Sequence, residues 1–233
     1  MAKHIGIVAC SAEGAALCYR TICLEGAKVM ENHAHPEISM HTYPLSDYTP
    51  YFDIGDWDSV AKLMISSCEK VAQVGAEFAI CPDNTIHQPF KQVRELSPIP
   101  WLHIAEVVAS QAKNQGRSRL AILGTQYLME GPVYPEKLTE SNIDYRIPDS
   151  SERKRINAIM FDELVYGKFL NESRDYFIRV ISRLGTEEGC DAVVLGCTEI
   201  PLLITPDISP LPTLDSTRLL AGAALNEAVS QDS

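Results

Sequence analysis

A repeat within the chain constrains its fold more than any other sequence feature. Residues 75–83 and 189–197 share one pattern: a glycine, an acidic residue two positions later, a short apolar run and a polar end. Residues 5–11 and 120–126 resemble each other at nearly the same separation along the chain. Because the two pairs lie in nearly the same register, we predict two similar halves.

Short apolar runs alternate with segments of helical periodicity in both halves. The apolar runs at 5–9, 78–81, 120–123 and 192–195 are typical of strands that are buried on both faces of a sheet. Helical spacing of apolar residues occupies 58–74, 104–111, 156–184 (with a break near Gly167) and 216–229. This alternation predicts an α/β fold made of two pseudo-symmetric α/β halves with mainly parallel sheets.

We expect the two halves to form two domains, with the active site in the cleft between them. The first α/β domain is predicted to comprise residues 1–105 plus 214–233, and the second to comprise residues 106–213. The halves have no linker rich in glycine and serine between them, which favours face-to-face packing. Pockets in α/β proteins prefer domain interfaces and the carboxyl ends of strands.

The composition argues against several classes of partner. The net charge of −11 disfavours binding to nucleic acid and to anionic membranes. No apolar stretch approaches the ~20 residues that span a bilayer, and no signal peptide is evident. The seven cysteines are odd in number and lack zinc-ribbon or thioredoxin spacing, which favours reduced thiols in the cytoplasm.

No metal or cofactor is expected. His33, His35 and His41 are close in sequence but do not follow a metal-ligand spacing, and no cysteine or acidic residue completes a set. Residues 11–14 follow the first predicted strand, yet they lack both the G-x-G-x-x-G pattern and the P-loop lysine. A nucleotide cofactor is therefore not expected either.

Two side chains capable of acid–base chemistry end equivalent strands of the two halves. Asp83 follows the apolar run at 78–81, and Cys197 follows the run at 192–195. If the halves face each other, these side chains reach opposite faces of one substrate carbon. Cofactor-free racemisation needs one such group on each face. Backbone N–H groups after each strand can bind the carboxylate that takes the developing charge.

The residues around these two positions resemble those of a known family. Residues 194–201, Val-Leu-Gly-Cys-Thr-Glu-Ile-Pro, closely resemble the second active-site signature of the aspartate/glutamate racemases. Residues 83–87, Asp-Asn-Thr-Ile-His, resemble the first signature, which reads Cys-Asn-Thr. The resemblance extends over most of the chain. It implies a cofactor-independent enzyme that interconverts the L and D forms of aspartate and/or glutamate, acting as a cytoplasmic homodimer.

The resemblance also implies which residues contact the substrate. Asn84, Thr85 and Thr198 match the residues that hold the α-carboxylate or the amino group. Thr125 matches a substrate-binding threonine of the second half. Lys168 lies near the basic residue that binds the side-chain carboxylate, although a solvated helix residue is the alternative interpretation.

The first half differs from the family in one respect that bears on the substrate. An arginine that some aspartate racemases carry after the second strand has no match in residues 41–48. Its absence weakens the expectation of a dicarboxylic substrate. Ser11, at the end of the first strand, is expected to line the cleft.

A second difference concerns the chemistry, because Asp83 replaces the family's first catalytic cysteine and Cys81 is expected to lie inside the strand. A carboxylate accepts a proton, but its ordinary pKa of about 3.9 makes it a weaker base than a thiolate unless burial raises it. Three outcomes stay open. Asp83 and Cys197 can racemise a substrate, with unequal rates in the two directions; the protein can be a decarboxylase or cis–trans isomerase of the arylmalonate or maleate type; or it can bind a small acid without turnover. We favour the first, and helix capping is the alternative role for Asp83.

Overall fold

The computed structural model describes residues 2–230, which divide into two compact units. The first unit comprises the described residues up to Ile104 and those from Thr217 onward, and the second comprises Ala105–Ser216. Each unit contains one parallel sheet and several helices. The predicted α/β class with two parallel-sheet halves is thereby confirmed.

In the first unit, strands and helices alternate along the chain. Their bounds are β1 (Ile5–Ala9), α1 (Ala12–Val29), β2 (Ile38–Thr42), α2 (Leu45–Ile54), α3 (Trp57–Gln73), β3 (Phe78–Ile80) and α4 (Phe90–Leu96). A short 3-10 turn, Thr85–His87, lies between β3 and α4. Helix α11 (Ser216–Val229) belongs to this unit apart from its first residue.

The first sheet has the strand order β2-β1-β3, and all of its strands are parallel. Ile5 of the central strand pairs with Ile38 of β2 and with Phe78 of β3. All residues of β1 are buried, as expected for the central strand of a parallel sheet covered on both faces. Because the strands are parallel, their carboxyl ends meet at one edge.

The second unit repeats this arrangement with one additional strand. Its elements are α5 (Ile104–Asn114), β4 (Arg119–Leu123), α6 (Gln126–Met129), α7 (Val133–Glu140), β5 (Asp144–Arg146), α8 (Ser150–Asp162), α9 (Asn171–Thr186), β6 (Ala192–Leu195), α10 (Ile200–Leu203) and β7 (Thr213–Asp215). Of these, Ile104 alone falls in the first unit.

The second sheet has the order β5-β4-β6-β7, again with parallel strands. In each sheet the first strand of its unit lies between the second and the third, so β3 and β6 occupy equivalent positions. Leu195 at the end of β6 pairs with Leu123 of β4 and with Asp215 of β7. The buried core beside this sheet is apolar and includes Phe177, Ile181 and Leu184 of α9.

Local signals explain where several helices begin and end. The Asp56 side chain accepts a hydrogen bond from the Ser59 backbone N–H at 3.1 Å and caps α3. Asp149 and Glu152 form a reciprocal capping box at the start of α8. The helical pattern predicted over 156–184 is interrupted at Gly167, which has a φ of 69°, and its first helix begins earlier than predicted, at Ser150. No helix within residues 2–230 is long and apolar enough to cross a membrane.

Candidate active site

Asp83 lies at the carboxyl edge of the first sheet, just after β3, and is buried. Its Oδ2 accepts a hydrogen bond from the backbone N–H of Cys10 at 3.0 Å. Cys10 follows the neighbouring strand β1, so the backbone after β1 orients the carboxylate that lies after β3. The carboxylate is therefore held by a main-chain donor.

The residues after Asp83 turn the chain away from the sheet. Asn84 is buried and Thr85 begins the 3-10 turn. The His87 Nδ1–H donates to the Asp83 backbone carbonyl at 3.1 Å, and the His87 ring stacks on Phe90 with centroids 5.0 Å apart. This turn fixes the backbone on which Asp83 and the two polar residues after it stand.

Ser11 and Cys81 also lie at this edge of the first sheet. Ser11 is half-buried at the N-cap position of α1, directly after Cys10. The Cys81 thiol is fully buried, and it contacts the Asp83 carbonyl at 3.7 Å. Burial raises the pKa of the Cys81 thiol well above its usual value, with a further contribution from Asp83. Cys81 is thus a core residue held in its neutral form.

Tyr48 on α2 is a further polar residue at this edge, and no sequence pattern predicted a role for it. Its side chain is fully buried, and its hydroxyl has no hydrogen-bond partner among the residues the structure describes. Burial raises the pKa of Tyr48, and the acidic groups of Cys10, Cys81 and Asp83 raise it further. The phenol therefore stays neutral and protonated beside Asp83. Nothing in the local sequence signals its burial, which depends on how α2 packs.

In the second unit, Cys197 stands at the position equivalent to Asp83, after β6. The preceding residue, Gly196, donates its backbone N–H to the Leu123 carbonyl of β4 at 2.7 Å. A Cβ at position 196 would lie 2.8 Å from that same carbonyl oxygen and 2.6 Å from Leu128 Cδ2. Only glycine allows this approach, which continues the β4–β6 pairing up to the residue before Cys197.

The Cys197 side chain is half-buried and belongs to a short hydrogen-bonded group with the two residues that follow it. Its Sγ donates to Oε2 of Glu199 at 2.8 Å. The Thr198 hydroxyl donates to the same oxygen at 2.7 Å. Thr198 and Glu199 are both buried. The sequence shows Thr198 and Glu199 directly after Cys197, but it does not indicate that the Glu199 side chain folds back onto the sulfur.

Thr125 follows β4, the strand next to β6, so it lies at the same edge of the second sheet as Cys197. Its side chain accepts a hydrogen bond from the Leu128 backbone N–H at 3.1 Å and caps α6. The next backbone N–H, of Gln126, donates to Asn157 Oδ1 at 2.9 Å. These bonds hold the loop after β4 in place.

Lys168 belongs to the second unit and lies in the exposed turn between α8 and α9. Its backbone N–H donates to the Glu163 carbonyl at 3.0 Å, and its ammonium lies 5.8 Å from the centroid of the Tyr166 ring. The position is solvated, and the predicted contact with a substrate carboxylate stays a prediction.

Within residues 2–230, no group of three or more His, Cys, Asp or Glu side chains is placed to hold a metal ion.

The comparison with known proteins decides the family. The sequence profile of the Asp/Glu/Hydantoin racemase family matches residues 13–224, which is most of the chain. The chain belongs to this family. The resemblance seen in residues 83–87 and 194–201 is thereby confirmed at the level of the family.

Two solved structures are similar to this racemase-family protein over nearly its whole length. One, from Yersinia pestis, is assigned to the Asp/Glu racemases; it is 29% identical, has a TM-score of 0.87, and the match covers 98% of this chain and 100% of the other. Another, an aspartate racemase homologue from Pyrococcus horikoshii, is 25% identical with a TM-score of 0.85, covering 99% and 100%. A further relative, the broad specificity amino-acid racemase RacX of Bacillus subtilis, is 19% identical over 85% of each chain.

Proposed function

We propose that this protein is a cofactor-independent amino-acid racemase that interconverts L and D forms of aspartate and/or glutamate. Family membership supports an enzyme of the isomerase class. The observation that carries the proposal is the equivalence of Asp83 and Cys197, each placed directly beyond the equivalent strand of its own sheet. Two acid–base groups of this kind are what a two-base proton transfer requires.

In this mechanism Asp83 works on one face of the α-carbon and Cys197 on the other. The Asp83 carboxylate removes the α-proton, and the electron pair left on carbon spreads into the substrate carboxylate. The Cys197 thiol then gives its proton to the opposite face, leaving an inverted product, a protonated Asp83 and a thiolate. The reverse reaction, or exchange with solvent, restores the starting protonation state.

The substrate carboxylate needs donors where its charge develops. Asn84 and Thr85 after Asp83, and Thr198 after Cys197, are proposed to supply them. Ser11 follows β1, the strand next to β3, and Thr125 follows β4, the strand next to β6; both are proposed as further substrate contacts.

The remaining proposed contact is not in a loop that directly follows a strand. Lys168 is proposed to bind the side-chain carboxylate, although it stands in an exposed turn.

Because one base is a carboxylate and the other a thiol, we expect unequal rates for the two enantiomers. We also propose a homodimer, which light scattering of the purified protein would test.

The proposal is tested with enantiopure L- and D-aspartate and L- and D-glutamate in D2O, following α-deuterium by NMR and optical rotation. We expect exchange with inversion for at least one enantiomer. Cys197→Ala and Asp83→Asn should each lower the rate of inversion by roughly 10²–10⁴-fold, the usual contribution of a general acid or base.

Full activity of Cys197→Ala would refute the mechanism. Release of carbon dioxide from a malonate, or turnover of maleate, without any exchange of the amino acids would instead favour a decarboxylase or a cis–trans isomerase. Tight calorimetric binding of an acid with no exchange would favour a binding protein.

A further inference from the structure

Asn157 is a polar side chain of the second unit that the mechanism above does not use. It lies on α8 and is half-buried. Its side-chain Oδ1 accepts the backbone N–H of Gln126 at 2.9 Å. Gln126 directly follows Thr125, which is proposed above as a substrate contact. Asn157 is therefore bonded to the loop that follows β4, at the edge of the second sheet where Cys197 also lies.

The contact with Gln126 fixes which way round the Asn157 amide stands. A backbone N–H can only donate a hydrogen bond, so the atom that faces it is the amide oxygen, and the Nδ2 group is on the other side. Within residues 2–230, the bond to Gln126 is the only hydrogen bond that the Asn157 side chain makes. Its oxygen thus faces the loop, and its two N–H donors are available to a ligand.

The loop that Asn157 holds is tied to α8 by a second link. The Gln126 side chain donates to the Glu130 carboxylate at 3.2 Å, and Glu130 also accepts from the Nε of Arg153 at 2.8 Å. Arg153 lies one helical turn before Asn157 on the same face of α8. Because the positive charge of Arg153 is paired within this link, Asn157 is a neutral donor beside a loop whose position is fixed.

The strand order indicates which part of a substrate would face α8. Cys197 follows β6, Thr125 follows the neighbouring strand β4, and α8 follows β5, the strand on the far side of β4. Neighbouring strands are about 4.8 Å apart, and the side chain of aspartate or glutamate reaches a similar distance beyond its α-carbon. An amino acid that has its α-carbon beside Cys197 and contacts Thr125 would therefore extend its side chain towards α8.

We propose that Asn157 is a specificity-determining residue whose Nδ2 donates to the oxygen at the end of the substrate's side chain. This role rests on the proposed function, because Cys197 must act at the α-carbon for the side chain to point this way. A hydrogen bond to an ionised oxygen is about twice as strong as one to a neutral oxygen, so Asn157 favours a side-chain carboxylate over the corresponding amide. A carboxylate has two oxygens, so this contact is compatible with the one proposed for Lys168.

The test compares substrates whose side chains differ only at this terminal group. Dissociation constants of L-glutamate and L-glutamine, and of L-aspartate and L-asparagine, are measured by calorimetry, and α-deuterium exchange in D2O is followed for the same four compounds. Asn157→Asp is the informative variant, because a carboxylate at position 157 still accepts the Gln126 N–H and places a negative charge where the donors were.

Asn114→Asp is the matched control, because it adds the same charge to the same unit at a different place. Asn114 is exposed and is the last residue of α5. It precedes β4, whereas the loop that Asn157 holds follows β4. The added charge therefore lies towards the opposite edge of the second sheet.

We expect Asn157→Asp to weaken the binding of glutamate and aspartate relative to their amides by roughly 10–100-fold, since repulsion replaces a hydrogen bond to a charged group. The amides can donate to the new carboxylate, so their own binding should change little. Asn114→Asp should leave both acid-to-amide ratios at the wild-type value. Should Asn157→Asp fold poorly, Asn157→Ala gives the same readout, and its ratios should fall by roughly 2–10-fold because it removes the donors without adding charge.

An acid-to-amide ratio that stays at the wild-type value in the Asn157 variants would overturn the inference, even if all four compounds bound more weakly, because a purely structural role in the loop would weaken them equally. Exchange in wild type with unaltered ratios would leave racemisation standing and refute the role of Asn157. Shifted ratios without exchange in wild type would refute racemisation and leave the Asn157 contact standing. A wild-type protein that neither binds nor exchanges any of the four compounds would refute both.

Discussion

Substitution of Gly196 by alanine is expected to disturb the candidate site through the backbone. The added Cβ would lie 2.6 Å from Leu128 Cδ2 and 2.8 Å from the Leu123 carbonyl oxygen. The leucine side chain can rotate away. The carbonyl cannot easily do so, since it already accepts the Gly196 N–H at 2.7 Å. Either the end of β6 moves away from β4 or that hydrogen bond lengthens.

The expected cost follows from these two effects. Overpacking a well-packed region typically costs about 1–3 kcal/mol, and a weakened backbone hydrogen bond costs about 1 kcal/mol. We therefore expect Gly196→Ala to lower the free energy of unfolding by roughly 2–4 kcal/mol. The shift also displaces Cys197, so the rate of proton exchange should fall even at temperatures where the variant is fully folded.

Gly222→Ala is the matched control, because it makes the same chemical change where there is room. Gly222 lies within α11, and a Cβ there would have no heavy atom within 4 Å. Replacing a helical glycine with alanine should stabilise the protein by about 0.5–1 kcal/mol. Urea unfolding followed by circular dichroism measures both midpoints. If Gly196→Ala unfolds at the wild-type midpoint, then the close approach of β4 and β6 does not constrain position 196 and the reasoning fails.

Three other predictions follow from single contacts. Tyr48→Phe should leave the ligand-free protein as stable as wild type or slightly more stable, because it removes a buried hydroxyl that has no partner among the described residues. Tyr134→Phe is the control; it loses a hydrogen bond with Ser216 and should lower the free energy of unfolding by about 1 kcal/mol. If urea unfolding showed Tyr48→Phe to be the less stable of the two variants, the prediction would be wrong. Asp83→Cys, which restores the family's first signature, should bring the exchange rates of the L and D enantiomers closer together in D2O, and an unaltered ratio would show that Asp83 does not set the asymmetry. Hydrogen bonds from the Glu152 and Ser151 backbone N–H groups and from the Ser151 hydroxyl lower the pKa of Asp149. The stability that this carboxylate contributes is therefore present above the ordinary carboxyl pKa and is lost as the pH falls through the lowered pKa. Asp149→Asn should make the free energy of unfolding fall less steeply at acid pH, as measured by urea unfolding at a series of pH values.

The strands and their ends could be predicted from the sequence because parallel strands covered on both faces are short apolar runs. The runs at 78–81 and 192–195 correspond to β3 and β6, and the polar residue after each run marks the carboxyl edge of a sheet. The break near Gly167 was also predictable, since a positive φ favours glycine. These signals are local, so one sequence is enough to detect them.

The contacts that give the site its chemistry could not be predicted in the same way. Glu199 reaches the sulfur because the chain turns immediately after Cys197, and a side-chain fold-back of this kind leaves no periodic pattern. The burial of Tyr48 depends on the packing of α2, a helix interrupted by Pro50 that the sequence did not predict. Both features depend on tertiary structure, and both involve polar atoms whose cost or benefit arises only once water is excluded.

The two equivalent sheet edges therefore carry different chemistry on a repeated scaffold. After β3, a main-chain N–H from Cys10 holds the Asp83 carboxylate, which suits a group that accepts a proton. After β6, the Glu199 carboxylate accepts from the Cys197 thiol, which suits a group that gives one. Asp83 on one side is thus a proton acceptor held by the main chain, and Cys197 on the other side is a proton donor hydrogen-bonded to a neighbouring carboxylate. If the proposed racemisation holds, this difference, and not the repeat, determines which enantiomer the resting protein takes first.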